Sequence, residues 1–212
     1  GINKNEKDHH FLYFSGNKIA AENLIDNTAV NEEGIALPFF GLNINPLETK
    51  NHNCSLLVAG GGTAGVTAAL GAAGKGCKPT IVDYFNDLGG SKTMGGVLGY
   101  YLGLNKHPFI VSYEKSIKEV ASGYKLSGAI SRSLTHLQAL NKGDYEMIGG
   151  AIICGACVSG NILEKVVICE NGRLKWIKAD LTIDATGDAD VAFFAGESYV
   201  LGNSRIGITQ NY

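Results

Sequence analysis

A glycine-rich stretch carries the clearest chemical signal in this sequence of 212 residues. The hexapeptide Gly60-Gly61-Gly62-Thr63-Ala64-Gly65 satisfies the pattern G-x-G-x-x-G, directly after the short apolar run 55–59 and at the opening of an Ala- and Gly-rich segment. In that context the first glycine permits a tight turn, the second lets backbone N–H groups reach a pyrophosphate, and the third lets helix and strand pack closely. The positive end of the helix dipole favours an anion there without any lysine. The stretch therefore predicts a dinucleotide site.

A carboxylate follows this turn at the distance such a site needs. Gly76 and Pro79 end the Ala- and Gly-rich helix, and the next apolar run, 80–83, finishes at Asp83. A carboxylate at the end of that strand accepts hydrogen bonds from ribose hydroxyls. No Gly-Lys-Ser/Thr follows the turn, which excludes a mononucleotide phosphate loop. The alternative is an ordinary tight turn with an exposed acid, but the register of strand, turn, helix, strand and acid favours the dinucleotide.

The elements that must position these residues read as an α/β core. The run 55–59 lacks alternation, as in a strand buried on both faces of a parallel sheet. Residues 89–103 are rich in glycine and predict a long irregular loop. Apolar residues at helical spacing, Ile117 with Val120 and Ile130 with Leu134 and Leu137, predict two amphipathic helices within 112–141.

The second half of the chain favours strands. The segments 151–158, 163–170, 173–177 and 181–184 each read as a strand, and Asn171-Gly172 predicts a two-residue hairpin turn. Residues 1–50 form a β-rich segment with strand-like pieces at 18–25 and 35–44. We expect an α/β fold: a Rossmann-like doubly wound parallel sheet with a small antiparallel β-meander in residues 51–212, preceded by the β-rich segment 1–50.

Three stretches resemble the FAD-dependent oxidoreductases of the glutathione-reductase-like superfamily. The first is Leu57–Gly65. The second is Ile81-Val82-Asp83-Tyr84 leading to Leu88-Gly89-Gly90, and the third is the strand 181–184 running into Ala185-Thr186-Gly187. In that superfamily a glycine pair follows the ribose-binding acid, and a strand ending in Ala-Thr-Gly returns beside the cofactor. The resemblance favours FAD over a nicotinamide dinucleotide.

Carried over position by position, the resemblance assigns cofactor contacts. It implies that Gly60 and residues 62–65 meet the pyrophosphate and that Asp83 binds the adenosine ribose, with Tyr84 and Gly89 beside them. It implies that Gly90 and Ser91 lie near the pyrophosphate or the ribityl chain, and that residues 185–187 pass close to FAD. Val158 is expected to bracket the adenine with its backbone, with Cys157 as the alternative one position earlier.

The resemblance also implies an oxidoreductase in which the flavin exchanges hydride or electrons with a small-molecule substrate. Related flavoproteins continue well beyond the Ala-Thr-Gly strand, so we expect a missing C-terminal domain, a second polypeptide that completes the site, or a reduced version of the fold. The alternative function is a dinucleotide-binding module or partner subunit without catalysis of its own. A third candidate is a nicotinamide-dependent dehydrogenase that uses the same turn.

Other residues with chemical potential are weaker candidates. Cys154 and Cys157 form a C-x-x-C, but within a strand they point to opposite faces, which favours structural thiols over a redox pair. An acid/base role for His107, after the glycine-rich loop, stays open. His136 is expected to be an exposed helical residue. No set of ligands has the spacing of a metal site.

Composition limits the partners. A net charge of −2 and the absence of a Lys/Arg stripe argue against nucleic acid. No apolar run approaches the roughly 20 residues of a membrane span. Five cysteines, an odd number in a chain of this length, favour reduced thiols and a cytoplasmic setting.

Overall fold

The computed structural model describes residues 52–99 and 107–200, together with the backbone of four short strands nearer the N-terminus. These are β1 (Phe11–Phe14), β2 (Asn17–Ala20), β3 (Thr28–Val30) and β4 (Ala36–Pro38). The strand pieces predicted at 18–25 and 35–44 overlap β2 and β4, and their remainders lie outside the described residues. β1 pairs with β2 and with a strand of the main sheet, whereas β3 pairs with β4.

A parallel sheet forms the centre of the fold. Its strands are β5 (His52–Ala59), β6 (Pro79–Val82), β7 (Glu146–Ile148) and the second half of β10 (Arg173–Asp184). They lie in the order β10-β5-β6-β7, all parallel, with helix α1 (Thr63–Ala73) between β5 and β6 in the chain. The Rossmann-like fold class predicted from the sequence is thereby confirmed.

Alternate residues of β5 build two separate cores, because successive side chains of a strand point to opposite faces. Leu56 and Val58 join a cluster with residues of α1, and Leu57 and Ala59 join one on the opposite face. All four are buried, so β5 is covered on both sides as the apolar run 55–59 predicts. This double burial fixes the position of the turn that follows β5.

An antiparallel meander covers one face of the sheet. It consists of β8 (Ala151–Ser159), β9 (Ile162–Glu170) and the first half of β10. The hairpin at Asn171-Gly172 is confirmed, since both residues have positive φ and Glu170 pairs with Arg173 across the turn. The prediction of two strands at 173–177 and 181–184 was wrong. The intervening residues Lys178 and Ala179 pair with β5, so one long strand serves both the meander and the parallel sheet.

The remaining helices are α2 (Pro108–Tyr124), α3 (Gly128–Leu140) and the short α4 (Asp190–Phe194). The two helices predicted within 112–141 are present, although α2 begins four residues earlier than predicted, and the inward face of α3 was predicted wrongly. Ile130 is 56% exposed, and the buried residues of α3 are mostly polar: Ser131, Arg132, Thr135, His136 and Leu140. Within the described residues, no helix has the length and apolar character to cross a bilayer.

Candidate dinucleotide site

The turn between β5 and α1 has a glycine at each end, and the backbone conformation and packing of the chain itself require both. Gly60 has φ of +97°, a left-handed conformation that favours glycine, and its amide donates to the Val82 carbonyl over 2.7 Å. A Cβ on Gly65 would overlap the carbonyl oxygen of Gly60. Helix α1 therefore starts this close to β5 only because Gly65 has no side chain.

Gly62, the middle glycine, faces open space instead. A Cβ added there would meet nothing within 4 Å, and its φ of −67° suits any residue. The first helical hydrogen bond runs from Val66 N–H to the Gly62 carbonyl over 2.9 Å, and no side chain of the described residues caps α1. The amides of Thr63 and Ala64 precede that bond, and Ala64 is exposed. The positive end of α1 is thus accessible to an anion.

Asp83 is fixed beside this turn by backbone hydrogen bonds. Its Oδ2 accepts from Gly61 N–H over 2.5 Å, and its Oδ1 accepts from Phe85 N–H over 2.7 Å. Each carboxylate oxygen keeps a second lone pair that can accept from a hydroxyl. Tyr84, next along the chain, is 63% exposed and contacts the Phe85 ring edge to face. A carboxylate and an exposed aromatic ring therefore stand side by side at the end of β6.

The glycine pair of the second stretch lies directly against the first. Gly89 and Gly90 have φ of +112° and +56°, and Gly89 N–H donates to the Gly61 carbonyl over 2.7 Å. A Cβ on Gly90 would lie 3.0 Å from Gly62 Cα, so the two backbones touch. The exposed Ser91 follows in a short 3₁₀ helix, Gly90–Lys92. We call residues 89–91 the glycine-pair turn.

The Ala-Thr-Gly segment, residues 185–187, also lies against the turn between β5 and α1. A Cβ on Gly60 would overlap the carbonyl of Ala185, so this contact too depends on glycine. Thr186 donates from its hydroxyl to Asp184 Oδ1 over 2.8 Å, and Gly187 turns the chain away with φ of +93°. Three segments, 60–65, 83–91 and 185–187, thus meet around the start of α1; their contacts with FAD stay a prediction.

Val158 does not join this group. The residue of β8 that reaches the end of β6 is Ala151, whose N–H donates to the Asp83 carbonyl over 3.0 Å. Val158 pairs with Leu163 near the opposite end of β8. Seven extended residues span about 20 Å, so Val158 and its alternative Cys157 are well removed from Asp83. The adenine contact of Val158 stays a prediction that the geometry does not favour.

The two histidines occupy unexpected environments. His107 caps α2, since its Nδ1 accepts from Phe109 N–H over 3.3 Å. The prediction that His136 is exposed was wrong, because its side chain is only 2% exposed. Its Nδ1 is 2.5 Å from the Tyr113 hydroxyl, and the two rings stack with centroids 5.6 Å apart. Burial, helped by nearby Arg132, lowers the pKa of His136 to about 4, so the ring is uncharged at neutral pH.

Charged side chains accompany His136 in the interior. Arg132, 5% exposed, donates two hydrogen bonds to Glu114 of α2, over 2.8 and 3.0 Å. Lys92 is also buried, and its Nζ donates to the Gly99 carbonyl over 2.5 Å; burial lowers the pKa of this amine. This cluster was not predicted from the sequence, because apolar spacing gives no sign of a buried polar helix face. Arg132 and His136 are four residues apart, which places them on one helix face and was the available signal.

The cysteines behave as structural thiols. Cys154 and Cys157 are both buried in β8, and no disulfide joins them. Burial raises the pKa of Cys154 to about 12, which suppresses the thiolate that redox chemistry needs. Among the described residues no cluster of three or more His, Cys, Asp or Glu side chains could hold a metal ion.

A strand, a glycine turn, an uncapped helix start and a carboxylate on the next strand define a dinucleotide-binding protein of the Rossmann type. The sequence of residues 55–211 matches the family of FAD dependent oxidoreductases. The match covers most of the chain, so the protein belongs to that family, whose cofactor is FAD. No curated protein matches the chain by sequence.

Solved structures share the fold at low sequence identity. L-proline dehydrogenase from P. horikoshii has a TM-score of 0.52 and 12% identity, over 72% of this chain and 58% of that protein. THI4 from Thermovibrio ammonificans has a TM-score of 0.47 and 17% identity, over 67% and 61%. A geranylgeranyl bacteriochlorophyll reductase-like protein from Thermoplasma acidophilum has a TM-score of 0.49 and 16% identity, over 69% of this chain and 43% of that protein. The first supports the fold assignment, and this chain spans less than two thirds of the length of each.

The residues present fit FAD at its adenosine diphosphate end. The space above Gly62 is open where a pyrophosphate would lie, and α1 begins without a side-chain cap. Asp83 is held by two amides yet keeps acceptor capacity for ribose hydroxyls. The charge, the shape and the hydrogen-bonding groups therefore agree with the cofactor of the family.

Proposed function

We propose that this protein is an FAD-dependent oxidoreductase that acts on a small-molecule substrate and holds the adenosine diphosphate half of FAD around the start of α1. In this proposal the amides of residues 62–65 bind the pyrophosphate and Asp83 binds the adenosine ribose. The glycine-pair turn and residues 185–187 line the path of the cofactor toward the flavin. Residues 51–212 would form the FAD-binding domain, preceded by the segment 1–50.

The observation that carries the proposal is the contrast between Gly62 and its neighbours. The chain itself requires glycine at positions 60 and 65, where a Cβ would overlap backbone carbonyls. It has no such requirement at Gly62, where a Cβ would enter empty space. A glycine that faces open space above an uncapped helix start is explained by a ligand that approaches the backbone closely.

The chain contributes binding and electrostatics to the chemistry. FAD, when bound, supplies the transfer of hydride or electrons. The helix start offers N–H groups that offset the charge of the diphosphate without a lysine. Asp83 orients the ribose, and its own orientation is fixed because both carboxylate oxygens accept backbone N–H groups. The buried strands β5 and β6 hold these groups rigidly, which lowers the entropic cost of binding.

The test is to reconstitute the purified chain with FAD. We expect a yellow protein with a flavin spectrum after gel filtration, bleaching of that spectrum by a chemical reductant, and re-oxidation by an electron acceptor. Isothermal titration with FAD and with NAD separates the two dinucleotides, and FAD should bind more tightly. A protein that binds NAD but not FAD would refute the cofactor assignment. FAD that binds but never changes redox state with any donor would favour a non-catalytic module.

A further inference from the structure

We propose that His136 is a positioning residue for FAD: held by Tyr113, its imidazole packs beneath Gly89 and keeps the glycine-pair turn against Gly62. The proposal rests on the proposed function, since it concerns the affinity for FAD at that site. It assigns a role to the helices α2 and α3, which are inserted in the chain between β6 and β7.

The first observation is the position of the imidazole. A Cβ built on Gly89 would lie 3.0 Å from His136 Nε2, so the ring edge occupies the space where a side chain of residue 89 would go. Thr93 closes the same space, because its Oγ1 would also be 3.0 Å from that Cβ. The side of Gly89 that faces the interior is therefore filled by His136 and Thr93, and the turn cannot sink further from Gly62.

The second observation is the hydrogen bonding of the ring. Nδ1 is paired with the Tyr113 hydroxyl, whereas Nε2 is buried and has no hydrogen-bond partner. Buried nitrogens without a partner are rare and call for an explanation. An N–H at Nε2 would be a buried donor without an acceptor, which costs more than leaving a lone pair there unpaired. This assigns the proton to Nδ1, which donates to Tyr113.

The third observation is the rigid support behind the ring. Tyr113 stacks on His136 and on Phe109, with the latter centroids 5.5 Å apart. The Arg132 pair with Glu114 clamps α3 to α2 on the same side. An imidazole fixed by a hydroxyl and a stack of rings transmits the position of two helices to the glycine-pair turn.

Two substitutions of His136 test the contributions of the Nδ1 edge and the Nε2 edge of the ring separately. In His136→Asn the side-chain amide replaces Nδ1 and leaves a gap beneath Gly89. In His136→Gln the amide reaches the Nε2 position and fills that gap. We expect the Asn variant to bind FAD about tenfold more weakly than the wild type, and the Gln variant to remain within about threefold. Leu140→Ala, a core substitution in the same helix, is the control for destabilisation and should leave the affinity unchanged.

Acid provides a readout that a purely structural role would not produce. Protonation adds an N–H to Nε2 with no acceptor, next to Arg132 and opposed by Asp87 and Glu114; Lys92 adds a further positive charge to the cluster. The FAD affinity of the wild type should therefore fall more steeply on acidification than that of His136→Gln, in which the residue cannot titrate. Equal slopes would overturn the proposal.

Imidazole nitrogen NMR on the wild-type chain covers the case in which a variant does not fold. We expect His136 to show an unprotonated Nε2 and to shift when FAD is added. A protonated Nε2, or a resonance that FAD leaves unchanged, overturns the proposal, as does a folded Asn variant with wild-type affinity. A wild-type chain that does not bind FAD refutes the proposed function, a result distinct from equal binding by all variants.

Discussion

Gly62→Ala tests the dinucleotide site most directly, because the new side chain creates no clash within the protein and should change its stability little. The new methyl group meets no atom within 4 Å, and the backbone φ of −67° is accessible to alanine. Replacing glycine by alanine stabilises by about 0.4 to 1 kcal/mol through the unfolded state. Alanine is the poorer N-cap residue, by about 1 kcal/mol. These effects offset each other, so the stability should stay within about 1 kcal/mol of the wild type.

The effect of Gly62→Ala on the affinity for FAD should be much larger than its effect on stability. The methyl group stands in the space proposed for the pyrophosphate and separates it from the amides of the first helical turn. Loss of two hydrogen bonds to a charged group, at about 1.5 kcal/mol or more each, amounts to about 3 kcal/mol. The dissociation constant should therefore rise by about 100-fold. Titration of the apoprotein with FAD, followed by flavin fluorescence, measures this change.

Gly71→Ala is the matched control. Gly71 lies within α1, and a Cβ there also meets nothing within 4 Å. This variant should be slightly more stable than the wild type, because alanine is the better helix former, and should bind FAD unchanged. If Gly62→Ala binds FAD as tightly as Gly71→Ala does, no diphosphate lies above that position and the assignment of the site is refuted.

Three other substitutions or conditions have defined outcomes. Gly65→Ala should destabilise the protein by about 3 kcal/mol in chemical unfolding, because its Cβ would overlap the Gly60 carbonyl; unchanged stability would contradict the packing of α1 on β5. Asp83→Asn should weaken FAD binding about tenfold in the same titration, since an amide turns an N–H toward one of two backbone donors; equal affinity would exclude Asp83 from the site. The folded pKa of His136, about 4, lies below the unfolded value of 6.5, so its contribution to stability is present above pH 6.5 and declines toward pH 4 by about 3 kcal/mol in total. Unfolding curves of the wild type and of His136→Gln should diverge over that interval, and parallel curves would mean that the histidine is not buried uncharged.

The glycine turn between β5 and α1 was predictable from the sequence because its signals are local. A buried strand, the spacing of three glycines and an acid at the end of the next strand lie within residues 55–83, and each has a direct physical reason. The hairpin at Asn171-Gly172 was predictable for the same reason, since the turn conformation selects those residues. Only the resemblance indicated that residues 185–187 lie on the same side of the sheet as this turn, because spacing says nothing about residues so far apart, and the contact between Gly60 and Ala185 itself was not predicted.

The interior of α3 could not be read from apolar periodicity. Arg132 and His136 pair with Glu114 and Tyr113 of α2, and the hydroxyls of Ser131 and Thr135 donate to carbonyls one turn earlier, so polar residues lie inside while Ile130 is exposed. Buried charged and ring groups need partners, and for Arg132 and His136 those partners come from α2, which the sequence of α3 alone does not indicate. The same dependence explains Val158, whose distance from Asp83 follows from the path of the meander and not from its own neighbours in sequence.

The strand β10 has a consequence for how the chain folds during synthesis. Its first half pairs with the meander strand β9, and its second half pairs with one edge of β5, whose other edge is paired with β6. The ribosome releases β5, β6 and the two long helices well before β10. Until then one edge of an apolar strand stays open to pairing with other nascent chains. Closing a parallel pair across so long a stretch of chain is slow, which makes this edge a place where chaperones are expected to act.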